Sequence, residues 1–306
     1  MRLSKLSAWL RRRGGEPDPA PDGGDLPWRG AYPAGVDWAA PIAETALYQL
    51  LADAVSRFGD RPCLDFLDRE YTYAEVGELV DRVANGFRQL GVEKGMRVGL
   101  CLPNSPYYVI CFFAVLKAGG TVVNYNPLYT EPEIARQIAD SRTRIVVTLD
   151  LRQLYPKVAA CLAETPLRTV VVCPMGDILP TLKGVLFAVF QRSRIADIPD
   201  DLQHVSFDSL TQNDGELAAA PVEPGTDIAV LQYTGGTTGT PKGAMLTHAN
   251  CTANVAQIRH WFPELRDGEE SILAVLPFFH VFAMTAILNL GMAIGARLIL
   301  LPRFEL

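Results

Sequence analysis

The sequence lacks the close cysteine and histidine spacings that mark disulfide frameworks and zinc sites. None of its six cysteines forms a Cys-x-x-Cys pair, and its four histidines do not cluster along the chain. Disulfide-rich domains and structural zinc sites both need tighter clustering. We therefore expect no metal site, cysteines that serve as small core residues, and a reducing, cytoplasmic environment.

The sequence also lacks an excess of positive charge and a long apolar run. Its formal net charge is −6 over 306 residues, which argues against a nucleic-acid partner whose phosphates a broad basic face would neutralise. No stretch reaches the length of a transmembrane helix, and no secretory signal is evident. With 49% hydrophobic residues, the chain can bury a large core.

Residues 1–15 carry five cations and no acid. Leu3, Leu6, Trp9 and Leu10 fall on one face if this stretch is helical. Such a helix would lie on anionic lipid at the inner face of the membrane. A disordered basic tail explains the same residues, because the stretch is short for a stable helix.

Strand and helix patterns alternate along most of the chain. Residues 1–42 read as a basic segment followed by an irregular Gly- and Pro-rich tail, and residues 43–306 as a domain. Predicted strands are residues 63–67, 70–73, 97–102, 121–125, 144–149, 169–173, 227–233, 243–247, 271–276 and 296–301. Predicted helices are residues 44–58, 73–90, 105–117, 131–140, 151–164, 247–261 and 282–290. This alternation predicts an α/β fold of largely parallel sheets with flanking helices.

Residues 174–226 are less regular. They contain an apolar patch at residues 184–190, followed by Arg192 and Arg194. A membrane contact is one interpretation of the patch, but the sequence favours a core helix.

A loop rich in glycine and threonine carries the strongest chemical signal. Residues 233–243 read Tyr-Thr-Gly-Gly-Thr-Thr-Gly-Thr-Pro-Lys-Gly after an apolar strand. Glycines let the backbone approach a ligand, successive N–H groups form an anion-binding concavity, and a lysine adds a cation, so the loop suits a polyphosphate. The candidate binding residues are Thr234, Gly235, Gly236, Thr237, Thr238, Gly239, Thr240 and Lys242. The loop is not a Walker A motif, because Pro241 precedes the lysine and a strand follows it. A plain linker would not explain a lysine fixed between proline and glycine.

The run from residue 233 to 250 resembles the phosphate-loop signature of the adenylate-forming (AMP-binding) superfamily. Residues 116–124, 126–130 and 276–282 look like further motifs of that group, so the resemblance covers residue 44 onward. It is greatest to bacterial long-chain fatty-acid–CoA ligases. The resemblance implies two half-reactions, in which ATP with Mg²⁺ activates a carboxylate as an acyl-adenylate and coenzyme A then takes the acyl group. By the same resemblance, Thr234 to Thr240 and Lys242 hold the β- and γ-phosphates.

The acid-free stretch 272–285 bears on the substrate. Family members that activate amino acids use an aspartate in this motif, and an ammonium group would be costly to bury here unpaired. We therefore expect an apolar acid, with Phe278, Phe279, Phe282 and Met284 lining its slot. The resemblance places His280 beside the carboxylate or the thioester-forming site, as a candidate catalytic residue. The alternative is a core histidine with a backbone partner.

The resemblance also implies that this sequence is the N-terminal portion of the adenylating enzyme. A glutamate for Mg²⁺, an aspartate for the ribose and a lysine for adenylation would all come after residue 306. An alternative is accordingly a truncated, non-catalytic fragment that at most binds phosphate and is inactive alone. Another is an acyl- or aryl-acid adenylating enzyme of different substrate choice. Acyl chain length and oligomeric state stay open.

Overall fold

The computed structural model describes residues 28–32, 35–37, 39–234 and 241–302. The chain divides into two units, Met1–Ala40 and Pro41–Leu306, and each is described by itself. In the first unit, a 3-10 helix spans Arg29–Ala31. The lipid-binding helix predicted for residues 1–15 lies outside the described residues.

The larger sheet of the second unit has seven strands, and β9 is antiparallel to the other six. The strands follow the order β7-β6-β5-β3-β4-β8-β9. Their bounds are β3 Arg97–Cys101, β4 Thr121–Asn124, β5 Ile145–Leu149, β6 Thr169–Cys173, β7 His204–Ser206, β8 Ile228–Thr234 and β9 Lys242–Thr247.

The central strands are apolar on both faces because helices cover both sides of the sheet. In β5, every residue is buried. Ile145, Val147 and Leu149 join the hydrophobic core on one face, whereas Val146 joins the core on the other. This follows from the two-residue period of a strand, and it explains why the strand sequence shows no polar alternation.

The smaller sheet has four strands in the order β10-β11-β1-β2. Their bounds are β1 Pro62–Phe66, β2 Arg69–Thr72, β10 Ser271–Ala274 and β11 Arg297–Leu300. Strands β10, β11 and β1 run parallel, and β2 returns antiparallel from β1. Leu64 pairs with Leu298, so this sheet ties the start of the second unit to its far end.

Helices pack around both sheets. Their bounds are α1 Gln49–Phe58, α2 Tyr73–Gln89, α3 Pro106–Lys117, α4 Glu131–Ser141, α5 Tyr155–Ala159, α6 Thr181–Phe190, α7 Phe207–Thr211, α8 His248–Trp261, α9 Val281–Ala283 and α10 Leu290–Ile294. A π-helix, Met284–Asn289, joins α9 to α10. Among the helices of the described ranges, none is both long and apolar enough to cross a membrane.

Local sequence explains several helix starts. Thr72 and Glu75 form a capping box before α2, and Thr247 with Asn250 does the same for α8. Helix α5 begins at Tyr155 and not at residue 151 as predicted. Pro156 explains the difference, because proline is tolerated only in the first helical turn.

The α/β fold class and its largely parallel sheets are confirmed. Two expectations were wrong in detail. Residues 184–190 do not form a core helix, because helix α6 contains no buried residue. The helix predicted over 282–290 contains the π-helical segment, in which Asn289 is fully buried.

Candidate functional site

The two described ends of the predicted phosphate loop, Thr234 and Lys242, lie at the carboxyl edge of the larger sheet. The chain passes from β3 to β4 on one side and then crosses to β5 on the other. The sheet therefore has its topological switch point between β3 and β5, and ligands of open α/β sheets bind beyond the carboxyl ends of the strands at such points. Strand β8 ends at the same edge, next to β4.

The glycine- and threonine-rich loop connects β8 to β9. Thr234 pairs with Lys242 at the end of this ladder, and both residues are exposed. Residues 235–240, which include the remaining predicted phosphate ligands, lie outside the described residues. The structure thus holds the two ends of the loop side by side, and the phosphate-binding roles stay predictions.

Tyr233 packs against Gly243 where β8 and β9 meet the loop. Its ring lies so close to Gly243 that a Cβ there would come within 3.1 Å of the Tyr233 Cζ atom. The Tyr233 hydroxyl donates a hydrogen bond to the Asp140 carboxylate. Burial, followed by the Asp140 carboxylate, raises the pKa of Tyr233, so it stays a neutral donor.

A buried amide at the end of β3 holds the segment that contains His280. The Asn104 side chain donates to the carbonyl oxygens of Ala274 and Leu276, both at 2.9 Å. Its oxygen accepts the Phe278 N–H at 2.8 Å. One side chain therefore satisfies three backbone groups of residues 274–278 and fixes that segment against the larger sheet.

Two further buried amides extend this network to β8. Gln232 donates to the Phe279 carbonyl at 2.9 Å and accepts a hydrogen bond from Asn124 at 2.9 Å. The Tyr108 hydroxyl lies 2.8 Å from the Asn124 oxygen that it donates to, and 3.0 Å from the Phe278 carbonyl. The strand that leads into the phosphate loop is thereby bonded to the backbone next to His280.

Sequence reasoning missed Asn104, Asn124 and Gln232. Asn124 ends β4, Gln232 lies within the last half of β8, and Asn104 follows β3; each is at most 7% exposed. An amide in such a position is costly to bury unless it is hydrogen-bonded. A lone amide residue in or next to an apolar strand was therefore the sequence signal that could have identified them.

His280 is the N-cap residue of helix α9 and is exposed, so the core-histidine interpretation is wrong. Its N–H donates to the Pro277 carbonyl at 2.9 Å, and its own carbonyl accepts from the Met284 N–H at 2.9 Å. These two bonds fix the backbone of the residue and leave the imidazole at the surface. Its role as a catalytic residue stays a prediction.

An apolar cleft of about 740 Å³ lies between the carboxyl ends of the two sheets. Its walls are mostly aliphatic and aromatic, and they include Pro103, Leu149, Leu151, Leu276, Phe279 and Leu301. Among the four residues predicted to line an acyl slot, only Phe279 lines this cleft. Phe278 and Met284 are fully buried in the core, and Phe282 is exposed.

Lys157 supplies a cation to the wall of the cleft. Its ammonium group donates to the carbonyl oxygens of Pro127 at 2.9 Å and Tyr129 at 3.0 Å. The cleft thus combines a large apolar surface with a few polar groups, which is the usual make-up of a small-molecule site.

A second, smaller cavity of about 290 Å³ lies at the opposite, amino edge of the sheet. Its lining includes Lys94, Asp227 and His248, and Lys94 pairs with Asp227 at 2.8 Å. His248 is buried, and burial lowers its pKa to about 4. This histidine therefore belongs to the packing of α8.

Within the described ranges, His, Cys, Asp and Glu side chains form no group of three or more that could hold a metal ion. All six cysteine thiols are free and buried.

Comparison with known proteins identifies the relatives of this chain. Residues 51–306 match the family described as AMP-binding enzyme. The chain is 36% identical over 290 residues to a long-chain-fatty-acid–CoA ligase of Bacillus subtilis, covering 91% of this chain and 50% of that protein. It is 33% identical over 265 residues to a 4-coumarate–CoA ligase of Humulus lupulus, covering 85% and 44%.

Among solved structures, a long-chain-fatty-acid-CoA ligase from Archaeoglobus fulgidus superimposes with a TM-score of 0.72 at 25% identity. The match covers 90% of this chain and 50% of that one. The chain thus spans about half the length of the relatives that it matches. With a family match over residues 51–306 and the same fold in a solved ligase, the chain belongs to the AMP-binding enzyme family of adenylate-forming ligases.

Proposed function

We propose that this chain supplies the phosphate-binding loop and the acyl-binding cleft of an ATP-dependent long-chain fatty-acid–CoA ligase. The observation that carries the proposal is that Thr234 and Lys242, the residues that flank the β8–β9 loop, and the apolar cleft lie at the same edge of the larger sheet. Gln232 links the two through its hydrogen bond to the carbonyl of Phe279, a residue of the cleft wall. The 36% identity to the long-chain-fatty-acid–CoA ligase of Bacillus subtilis supports the substrate class.

In the first half-reaction, a carboxylate oxygen of the fatty acid attacks the α-phosphorus of ATP, and pyrophosphate leaves. Backbone N–H groups and hydroxyls of the loop would hold the β- and γ-phosphates, with Lys242 as a mobile point charge. The proposed ligands are Thr234, Gly235, Gly236, Thr237, Thr238, Gly239, Thr240 and Lys242. Mg²⁺ would neutralise charge on the ATP phosphates.

In the second half-reaction, the thiol sulfur of coenzyme A attacks the acyl carbonyl carbon, and AMP leaves. The segment held by Asn104 and Gln232 positions His280 at the surface next to Phe279. We propose that its imidazole contacts the reacting carboxyl group or the thioester-forming site. The hydrogen-bonded backbone makes this placement rigid, as a catalytic group requires.

The apolar lining of the cleft supports an apolar acid over an amino acid. Its volume of about 740 Å³ falls in the range of ligand sites, and the adjacent stretch 272–285 contains no carboxylate to pair with an ammonium group. An aryl acid is the second candidate, favoured by the 33% identity to a 4-coumarate–CoA ligase.

The chain spans about half of its relatives, so we also propose that its 306 residues bind ATP phosphates but do not complete the reaction alone. In this proposal residues 43–306 are one partial AMP-binding domain. We keep as further proposals a cytoplasmic location and a contact of residues 1–15 with the inner face of the membrane. Equal flotation of intact protein and a variant lacking residues 1–15 would contradict that contact.

The experiment is an assay for AMP and acyl-CoA with ATP, Mg²⁺ and coenzyme A. It compares palmitate, 4-coumarate and an amino acid, using the protein made from its complete gene. We expect palmitate to give the largest rate and the 306-residue chain to give none. A larger rate with 4-coumarate would shift the assignment to an aryl acid. Turnover by the 306-residue chain would contradict the proposal that it is inactive alone.

A further inference from the structure

Helix α6 carries an apolar stripe that faces solvent. The stripe follows the i, i+3, i+4, i+7, i+8 spacing of one helical face. Its members are Leu182, Val185, Leu186, Val189 and Phe190, and their exposed fractions run from 45% for Leu186 to 73% for Phe190. An amphipathic helix of a globular domain normally turns such a stripe toward the core, so this helix is oriented the other way.

The opposite side of α6 is fixed to the protein. Gly184 sits against the 3-10 helix Met175–Ile178, where an added Cβ would come within 2.8 Å of the Gly176 carbonyl oxygen. Phe187 packs against the main hydrophobic core. Lys183 forms an ion pair with Asp68 and donates to the Leu67 carbonyl at 2.9 Å. These contacts hold the helix through Lys183, Gly184 and Phe187 and leave the stripe exposed.

The C-terminal end of the stripe is followed by positive charge, whereas Lys183 near its N-terminal end is paired with Asp68. A 3-10 turn that follows α6 places Arg192 and Arg194 at the surface, and both are exposed. Residues 178–196 contain these two arginines and Lys183 but no aspartate or glutamate. Exposed aliphatic and aromatic residues flanked by cations match the composition of helices that lie in the interface of anionic bilayers.

The 3-10 helix that packs against α6 begins at Met175, a residue of the cleft wall. The segment that contains α6 runs from Met175 to Ile195, and Ile195 forms an isolated antiparallel β-bridge with Leu151. Met175 and Leu151 both line the cleft. Docking of α6 on a bilayer would therefore bring the cleft close to the lipid.

We infer that α6 is a membrane-docking helix, with the stripe inserted at the headgroup–acyl boundary and Arg192 and Arg194 against lipid phosphates. The ten residues of the helix measure about 15 Å along its axis, so it lies in the interface and does not span the bilayer. The inference does not depend on the ligase reaction, because the stripe and the charges stand without it.

The experiment places an environment-sensitive fluorophore on the stripe of the full chain. All six native thiols are buried, so a maleimide dye reacts with the exposed cysteine of Val189→Cys. The matched control is Leu202→Cys, at an exposed apolar position before β7 on the amino edge of the sheet. The probes are vesicles of phosphatidylcholine alone and of phosphatidylcholine with phosphatidylglycerol.

We expect a blue shift and quenching by brominated lipid at position 189 with the anionic vesicles, and no change at position 202. Three results would overturn the inference: no shift at position 189, an equal shift at position 202, or a blue-shifted dye at position 189 before lipid is added. The last result would mean that protein covers the stripe.

Unlabelled variants give an independent measure. Neutralising Arg192 and Arg194 with glutamine should weaken binding to the anionic vesicles about fivefold per arginine at low salt. Val185→Glu should weaken it further, whereas Leu202→Glu should not, and matching thermal unfolding curves confirm that each variant is folded. Unchanged partitioning of the Val185 variant would contradict docking through α6 even if residues 1–15 bind lipid.

Discussion

Protonation of buried His248 should destabilise the second unit below neutral pH. Its Nδ1 atom accepts the Leu47 N–H at 3.0 Å, so protonation at that nitrogen removes a buried hydrogen bond. Burial lowers the pKa of His248 from 6.5 to about 4. The Asp227 carboxylate raises the pKa and the Lys94 ammonium lowers it, but both effects are smaller than that of burial.

The unfolded chain takes up a proton near pH 6.5, whereas folded His248 resists protonation until about pH 4. Stability is therefore complete above the unfolded pKa and is lost as pH falls through the window between the two values. From these two pKa values, the free energy of unfolding should fall by about 2 kcal/mol between about pH 8 and about pH 5. Burial opposes ionisation of Asp227, but its pKa is still held below the ordinary value by Lys94, so Asp227 titrates below this window.

The assay is urea unfolding at both pH values for the protein and for His248→Asn. The asparagine oxygen can accept the Leu47 N–H but does not titrate, so the variant should lose about 2 kcal/mol less than the parent on acidification. The other three histidines are present in both proteins, so their contributions to the pH dependence cancel in the comparison. Equal losses in parent and variant would refute the reasoning.

Three further substitutions test the site and its surroundings by urea unfolding. Asn104→Leu should cost about 3 to 5 kcal/mol, because three backbone groups of residues 274–278 lose their partner, and a cost below about 1 kcal/mol would contradict this role of Asn104. Asn289→Leu should stabilise by about 1 to 2 kcal/mol, because the buried amide has no hydrogen-bond partner within the described residues, and destabilisation would show that it has one. Gly243→Ala should cost about 1 to 3 kcal/mol through contact with the Tyr233 ring, and Tyr233→Leu should relieve most of that cost in the double variant.

Much of the fold could be predicted because the apolar residues of most helices and strands recur with the period of that element. The apolar run at residues 144–149 predicted β5, and the helical spacing over residues 73–90 predicted α2, each within a residue or two of the observed bounds. The existence of two sheets was harder to predict. Leu64 pairs with Leu298 across more than two hundred residues, and no local pattern reports a pairing of that range.

Helix α6 shows a second limit of pattern reasoning. Its apolar spacing is that of a core-facing helix, and the sequence favoured that interpretation. The contacts of Gly184 and Lys183 turn the opposite face of the helix toward the protein. Gly184 lets the helix approach residue 176, and Lys183 pairs with Asp68. The direction in which a stripe points depends on such tertiary contacts and not on its period.

For the candidate site, the sequence supplied the proposed binding and catalytic residues but not the side chains that hold the neighbouring backbone. Thr234 and Lys242, which flank the loop, lie at the ends of two neighbouring strands, as expected for a phosphate loop between strands. His280 is exposed. The amides that position them could not be assigned partners from sequence, because Asn104 bonds to residues about 170 positions away. Predicting Phe278 and Met284 as slot residues failed for the same reason, since only the packing shows that they face the core.

The most direct test of the central claim is palmitate-dependent exchange of labelled pyrophosphate into ATP, with the protein made from its complete gene. This exchange reports the first half-reaction alone. The account predicts exchange that requires the fatty acid, falls about a hundredfold in Lys242→Ala, and is unchanged in Arg168→Ala, an exposed cation at the opposite edge of the sheet. Exchange without fatty acid, or exchange that survives loss of Lys242, would contradict it.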